Sequence, residues 1–191
     1  MTTQRDIDIR EQGLAHPGTV HPDLVDLGRG HSSVADKVWG LTRISLGLVF
    51  FWAFVDKLFG LGFATPSERA WISGGSPTAG FLGGVEGPFA GVYTALAGQA
   101  WADWLFMVGL SGIGVALLAG VAMRIAAAAG ALLLVLMWTA VLPMVNHPFL
   151  DDHLVYAIVL VGLAAAGAGH TFGLGRRWEH LSVVKRFPVL R

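Results

Sequence analysis

The chain of 191 residues contains no cysteine. That absence excludes disulfides, thiolate nucleophiles, dithiol relays, c-type haem attachment and Cys-ligated iron–sulfur clusters. Charge is scarce as well: Asp, Glu, Lys and Arg make up 14% of the chain, against about a quarter in ordinary globular domains. Residues 104–150 hold a single charge, Arg124, and residues 153–175 hold none. With 54% hydrophobic residues the chain is not a soluble domain and reads as one polytopic membrane domain. Residues 1–37 lack the apolar segment of a cleavable signal peptide, so the first membrane helix is expected to serve as an uncleaved anchor.

A helix that crosses hydrocarbon needs roughly 20 mostly apolar residues. Four stretches meet that need, and the predicted fold is an all-α, four-helix transmembrane bundle with helices over about 38–61, 104–123, 125–142 and 149–168. A flexible polar tail, 1–37, precedes it and a basic tail, 171–191, follows it. The charge-free part of the first helix runs only from Ile44 to Val55, which sets Arg43 and the Asp56–Lys57 pair at the two membrane boundaries. The second and third helices form a tight hairpin around Arg124, and Pro143 and Pro148 separate the third from the fourth. In the outer loop, 62–103, the capping-box form Thr65-Pro66-Ser67-Glu68 predicts a short helix through Trp71, and Pro88–Ala97 predicts a second. Small residues four apart, Gly112-Ala116-Gly120 and Ala122-Ala126-Gly130, are expected to let helices approach closely.

Lys and Arg set the expected orientation. Five lie in 1–43, one in the hairpin and five after residue 175, whereas 56–103 and 143–153 carry only Lys57 and Arg69 against six acids. Both termini are therefore expected in the cytoplasm and the loop outside.

No ionisable group sits mid-helix, which disfavours a pump or ion-coupled transporter. No two histidines lie at one depth on facing helices, which disfavours a b-type haem. What remains is a polar collection expected at the outer mouth: Asp56 and Lys57, Arg69 and Trp71, Asp103 and Trp104, and the run Asn146-His147-Pro148-Phe149-Leu150-Asp151-Asp152-His153. A lysine at the edge of hydrocarbon is a candidate seat for a small anion, and His153 with Asp151 and Asp152 is a candidate for moving protons. Plainer readings stand beside these. Asp151 and Asp152 suit the first turn of any helix, Lys57 can snorkel, the tryptophans suit an interfacial belt, Arg43 suits an inner-edge anchor and His147 suits a turn. The His/Asp spacing matches no metal template, and no metal, haem or iron–sulfur centre is expected.

The runs Arg43-Ile-Ser-Leu-Gly47 and Phe50-Phe-Trp-Ala-Phe-Val-Asp56-Lys57-Leu-Phe-Gly60 resemble the first helix of DoxX/DoxD-like membrane proteins. The segments Ala64-Thr-Pro-Ser67, Gly74-Gly-Ser-Pro-Thr78, Gly98-Gln-Ala-Trp-Ala-Asp103 and Asn146–His153 are similar to the DoxD-type branch, and the likeness covers about 39–178. The resemblance implies a membrane subunit of the thiosulfate:quinone oxidoreductase type in a bacterial plasma membrane, with membrane quinone as its acceptor. Arg43, Gly47 and Lys57 match the family pattern by position. On that footing Lys57, with Arg69, Asp56, Asp103 and His147, is expected to bind a sulfur oxyanion or a quinone head. His153, Asp152 and Asp151 are expected to move protons, and Trp52, Phe51 and Tyr156 to line a quinone slot. The expected partners are membrane lipid and a second subunit or soluble redox enzyme, with oligomers allowed and no nucleic acid. The alternative reading is a non-catalytic anchor that recruits soluble redox enzymes through its tails.

Overall fold

Ser33 opens the first helix with a capping box: its hydroxyl accepts from Asp36 N at 3.1 Å, and the Asp36 carboxylate accepts from Ser33 N at 2.8 Å. The computed structural model describes residues 33–144 and 147–191 of the chain. Helix α1, Val34–Phe59, ends at Gly60, whose positive φ of 65° lets its N–H turn back to Asp56 O. It begins a turn earlier than the expected 38, so Lys37 belongs to the helix and not to the tail. The rest of that tail, residues 1–32, lies outside the described residues.

Two single 3-10 turns follow, Ser67–Arg69 and Trp71–Ser73, then α2, Ala79–Gly83, and α3, Ala90–Leu96. The expected capping box at Thr65–Glu68 does not form: Pro66 takes the cap position and no side chain caps the turn. Helix α4 spans Ala100–Ala119, α5 Met123–Ala140 and α6 Asp152–Ala165. Helix α4 starts one turn before the expected 104, because Gln99 and the residues after it are as compatible with a helix as those further on, and Asp103 falls in its first turn. Gly120 and Ala122, both at positive φ, make the sharp corner into α5.

Helices α1, α4 and α5 are long and apolar enough to cross a membrane. Helix α6 has 14 residues, about 21 Å at helical rise, and a further 3-10 turn, Ala168–His170, follows it after Gly167 at positive φ. Leu48, Leu105, Val108, Leu132, Ile158 and Val161 point outward from these helices and are exposed. Helices that are apolar on the outside as well as the inside need lipid around them.

Inside, α1 packs mainly on α4, and α5 on α6. Leu46 and Phe50 from α1, Leu110, Ile113 and Leu117 from α4, Leu134 from α5 and Leu160 from α6 belong to one continuous core. Glycines allow the closest approaches. A Cβ at Gly114 would come within 2.8 Å of Phe51 N, one at Gly47 within 3.0 Å of Leu118, and one at Gly130 within 2.7 Å of Leu160 Cδ1. Gly112, expected at such a contact, faces open space, whereas Ala116 packs on the core and a Cβ at Gly120 would lie 2.8 Å from Gly169 O, so only part of the expected stripe is a close seam.

Arg43, expected as an anchor at the membrane edge, is fully buried and 0% exposed. Its Nε donates to Ala168 O at 3.1 Å, Nη1 to Leu118 O at 3.0 Å and also to Leu117 O, and Nη2 to Thr171 O and Phe172 O at 3.2 and 3.0 Å. These carbonyls close α4 and the turn after α6, where helix ends leave unpaired, negatively polarised oxygens. The guanidinium therefore ties α1 to the end of α4 and to the turn after α6, with no carboxylate partner among the described residues. Beyond it the expected basic tail is folded. Helices α7, Gly175–Glu179, and α8, Ser182–Arg186, and a last turn, Pro188–Leu190, bury Val184 and return to α5, where Arg124 N donates to Arg191 O at 2.8 Å.

Candidate functional site

Two acids that the sequence marks as binding groups are committed to the backbone of the outer loop. Asp56, in the last turn of α1 and 1% exposed, accepts from Phe63 N at 3.3 Å and Ala64 N at 3.1 Å, closing the chain back on its helix. Asp103 accepts from Ser76 Oγ at 2.9 Å, Thr78 N at 3.0 Å and Thr78 Oγ1 at 2.6 Å, while Thr78 Oγ1 in turn accepts from Gly98 N. Both carboxylates act as fasteners for the segment between α1 and α4.

With Asp56 so engaged, its neighbour Lys57 is left to face elsewhere. The ammonium lies 5.9 Å from the centroid of the Phe106 ring, and it has no hydrogen-bond or ion-pair partner among the described residues. It borders a cavity of about 670 Å³ enclosed by α4, α5, α3 and the loop. Arg69, Ser76 and Thr78 stand at the loop side; Phe106, Leu133 and Met137 form much of the apolar wall. Tyr93 from α3 closes one rim, donating its hydroxyl proton to Leu136 O at 2.8 Å and sharing a short hydrogen bond with Thr139 Oγ1. The volume and the few polar groups among aromatic and aliphatic walls are those of a small-molecule site.

Of the expected site residues, the cavity thus gathers Lys57 and Arg69, with Asp56 and Asp103 supporting the loop around it. Trp52, Tyr156, His147, Asp151, Asp152 and His153 do not line it. Trp52 faces outward, edge-on to Phe63 at 5.2 Å, and Phe51 backs onto Gly114. Tyr156 packs against the core. His147 Nδ1 accepts from Phe149 N at 3.1 Å and Leu150 N at 2.9 Å, so it shapes the turn before α6. Asp151 caps α6 through Leu154 N at 3.1 Å, and its second oxygen meets His153 Nδ1 at 2.6 Å, with Asp152 Oδ1 at 3.5 Å from the same nitrogen. The ligand atoms of these three lie within 4.8 Å of one another, a grouping able to hold a metal ion although one Asp151 oxygen is already spent on the cap. Asn146 lies outside the described residues.

Sequence reasoning missed Tyr93, Phe106 and Met137. Tyr93 sits in a loop helix without periodicity, and the other two are indistinguishable from ordinary apolar residues of a span. Trp101, assigned to the interfacial belt, borders the cavity, while its companions Trp71 and Trp104 pack edge to face at 4.6 Å. Comparison of the chain with protein-family models, with curated proteins and with solved structures finds no match.

Proposed function

We propose that the chain is a multi-pass protein of a bacterial plasma membrane that binds the head of a membrane quinone in the α4–α5 cavity, as an oxidoreductase subunit of the DoxX/DoxD-like, thiosulfate:quinone type. In this reading α6 with its following turn is a fourth crossing, both termini are cytoplasmic and the loop 62–103 lies outside. The distribution of Lys and Arg supports that orientation.

The observation that carries the functional reading is the Lys57 ammonium, in no ion pair among the described residues, beside a cavity walled by aromatic and aliphatic side chains. A lysine there donates to a quinone carbonyl oxygen and gains strength as negative charge builds on that oxygen during reduction. Arg69, exposed at the loop side of the same cavity, suits a sulfur oxyanion arriving from water. The balance is complete: two thiosulfate ions lose one electron each and join through a new S–S bond. The quinone takes the two electrons, and two protons from water, to become the quinol. His153 and Asp152, away from the cavity lining, are not needed for those protons.

The test is quinone binding and thiosulfate-dependent quinone reduction by the lipid-reconstituted chain and its variants. Lys57→Ala is expected to weaken quinone affinity at least tenfold, about 1.4 kcal/mol, and to abolish turnover, whereas His153→Ala leaves both unchanged. Unchanged affinity in Lys57→Ala overturns the site.

A second reading, a docking platform for soluble redox enzymes, is favoured by the folded C-terminal cap. It exposes Arg176, Arg177, Lys185 and Arg186, while the Glu179 carboxylate is engaged by His170 at 3.0 Å. Reversing those four charges separates the readings: it removes partner binding under the second and leaves quinone affinity intact under the first.

A further inference from the structure

Several residues that line the cavity also stand on the outer surface of the helices. Leu105 is 67% exposed, Leu132 62% and Leu136 47%, and all three border the same space as Lys57. On α4 the lining residues Leu105, Gly109 and Ile113 are four apart and form one stripe; on α5 Ala129, Leu133 and Leu136 form the opposing one. The cavity therefore breaks the apolar face of the bundle between α4 and α5, in addition to its opening among the exposed loop residues Pro66, Arg69 and Phe81.

Gly109 is what keeps that gap clear. A Cβ built there meets no atom within 4 Å, although the residue lies mid-helix between larger neighbours. Gly114, one turn further along α4, has Phe51 N at 2.8 Å, so its lack of a side chain serves packing. Gly112 also faces open space, but it is no part of the cavity wall. A mid-helix glycine costs about 1 kcal/mol against alanine, and at Gly109 no helix contact accounts for it.

We infer that the cavity is entered sideways from the bilayer, through a portal between α4 and α5 floored by Gly109, by an amphiphile whose head reaches Lys57 and whose tail remains between the two stripes. This inference rests on the quinone reading for the identity of the head. The portal itself rests on the outward-facing lining and on the complementarity of an ammonium at one end with hydrocarbon at the other. A two-mouthed site lets a water-borne anion approach through the loop while the lipid-borne molecule never leaves the membrane.

The experiment uses the full chain in lipid nanodiscs and two photoactivatable probes with the same long alkyl tail and mid-tail diazirine, one a benzoquinone and one a carboxylate. The expected result is cross-linking of the quinone probe to Leu105, Leu132 or Leu136, competed away by unlabelled quinone. It should fall at least fivefold in Gly109→Leu and stay unchanged in Gly112→Leu, which adds the same bulk outside the cavity. Ala129→Leu, from the opposite stripe, repeats the test should Gly109→Leu fail to fold. Quinone that binds with normal affinity but cross-links only to 66–81, insensitive to both filling variants, overturns the portal and leaves the quinone reading standing. Competed cross-linking of the stripes by the carboxylate probe, with none by the quinone, supports the portal and overturns the quinone. Absence of competed cross-linking by either probe overturns both.

Discussion

Asp103 holds Thr78 at two points, 2.6 Å to its hydroxyl and 3.0 Å to its amide, across 25 residues of chain. The bond ties the first turn of α4 to the segment that roofs the cavity, and both groups are buried. Removing the carboxylate leaves the amide and the hydroxyl without their acceptor. Asp103→Ala should therefore destabilise the loop by about 1–3 kcal/mol, read as faster proteolysis within 62–99. Thr78→Val, which keeps the amide bond, should cost less than Asp103→Ala in the same assay.

Arg43 answers to five carbonyls with a planar fork, and a lysine offers three donors from one point. Arg43→Lys should lower thermal stability in detergent by more than about 2 kcal/mol through orphaned buried carbonyls. Arg43→Met should be at least as damaging, although its side chain suits an apolar surrounding. Tolerance of either variant without loss of melting temperature would remove the clasp from the account of the fold.

At the N-terminus of α6 the cap and the histidine pair are separable. Asp151→Ala should cost about 1 kcal/mol of stability through loss of the Leu154 N–H acceptor. Asp151→Ser, which restores a capping oxygen without a charge, should recover most of it. Neither change should alter quinone affinity, since Asp151 does not line the cavity. A loss of affinity in Asp151→Ser would return the His/Asp group to the site.

Glycines on α4 divide by what a side chain would meet. Gly114→Ala should destabilise by roughly 1–3 kcal/mol, because its methyl presses on the backbone of α1 at Phe51. Gly112→Ala should be neutral or stabilising, gaining up to about 1 kcal/mol of helix propensity. Thermal unfolding of the two single variants compares them directly.

The spans are legible from the sequence because apolar runs bounded by Arg43, Asp103 and Arg124 have no other stable home. Their ends are less so. Asp103 looks like a stop before a helix, yet it serves equally in a first turn, and nothing local distinguishes the two. Lys57 and Arg69 stand out as the two Lys or Arg residues of 56–103 and 143–153, which carry six acids, and the cavity takes both. Asp56 and Asp103 stand out for the same reason, but a carboxylate carries no mark of whether its partner is a ligand or a main-chain amide 7 or 25 residues away. Arg43 is misread because its partners are carbonyls, which every residue has. The cavity wall is invisible in the sequence: Phe106 and Met137 become a wall only once α4 and α5 stand side by side.

The Arg43 clasp also imposes an order on assembly. Its first partner in sequence, Leu117 O, lies 74 residues downstream and Ala168 O lies 125 downstream. At ribosomal speeds of about 5–20 residues per second, the first helix waits on the order of ten seconds with an unsatisfied guanidinium. Only when the turn after α6 is made do the last carbonyls reach that cation. A chain that stops short of residue 168 therefore presents an arginine that lacks three of its five carbonyl acceptors, those of Ala168, Thr171 and Phe172.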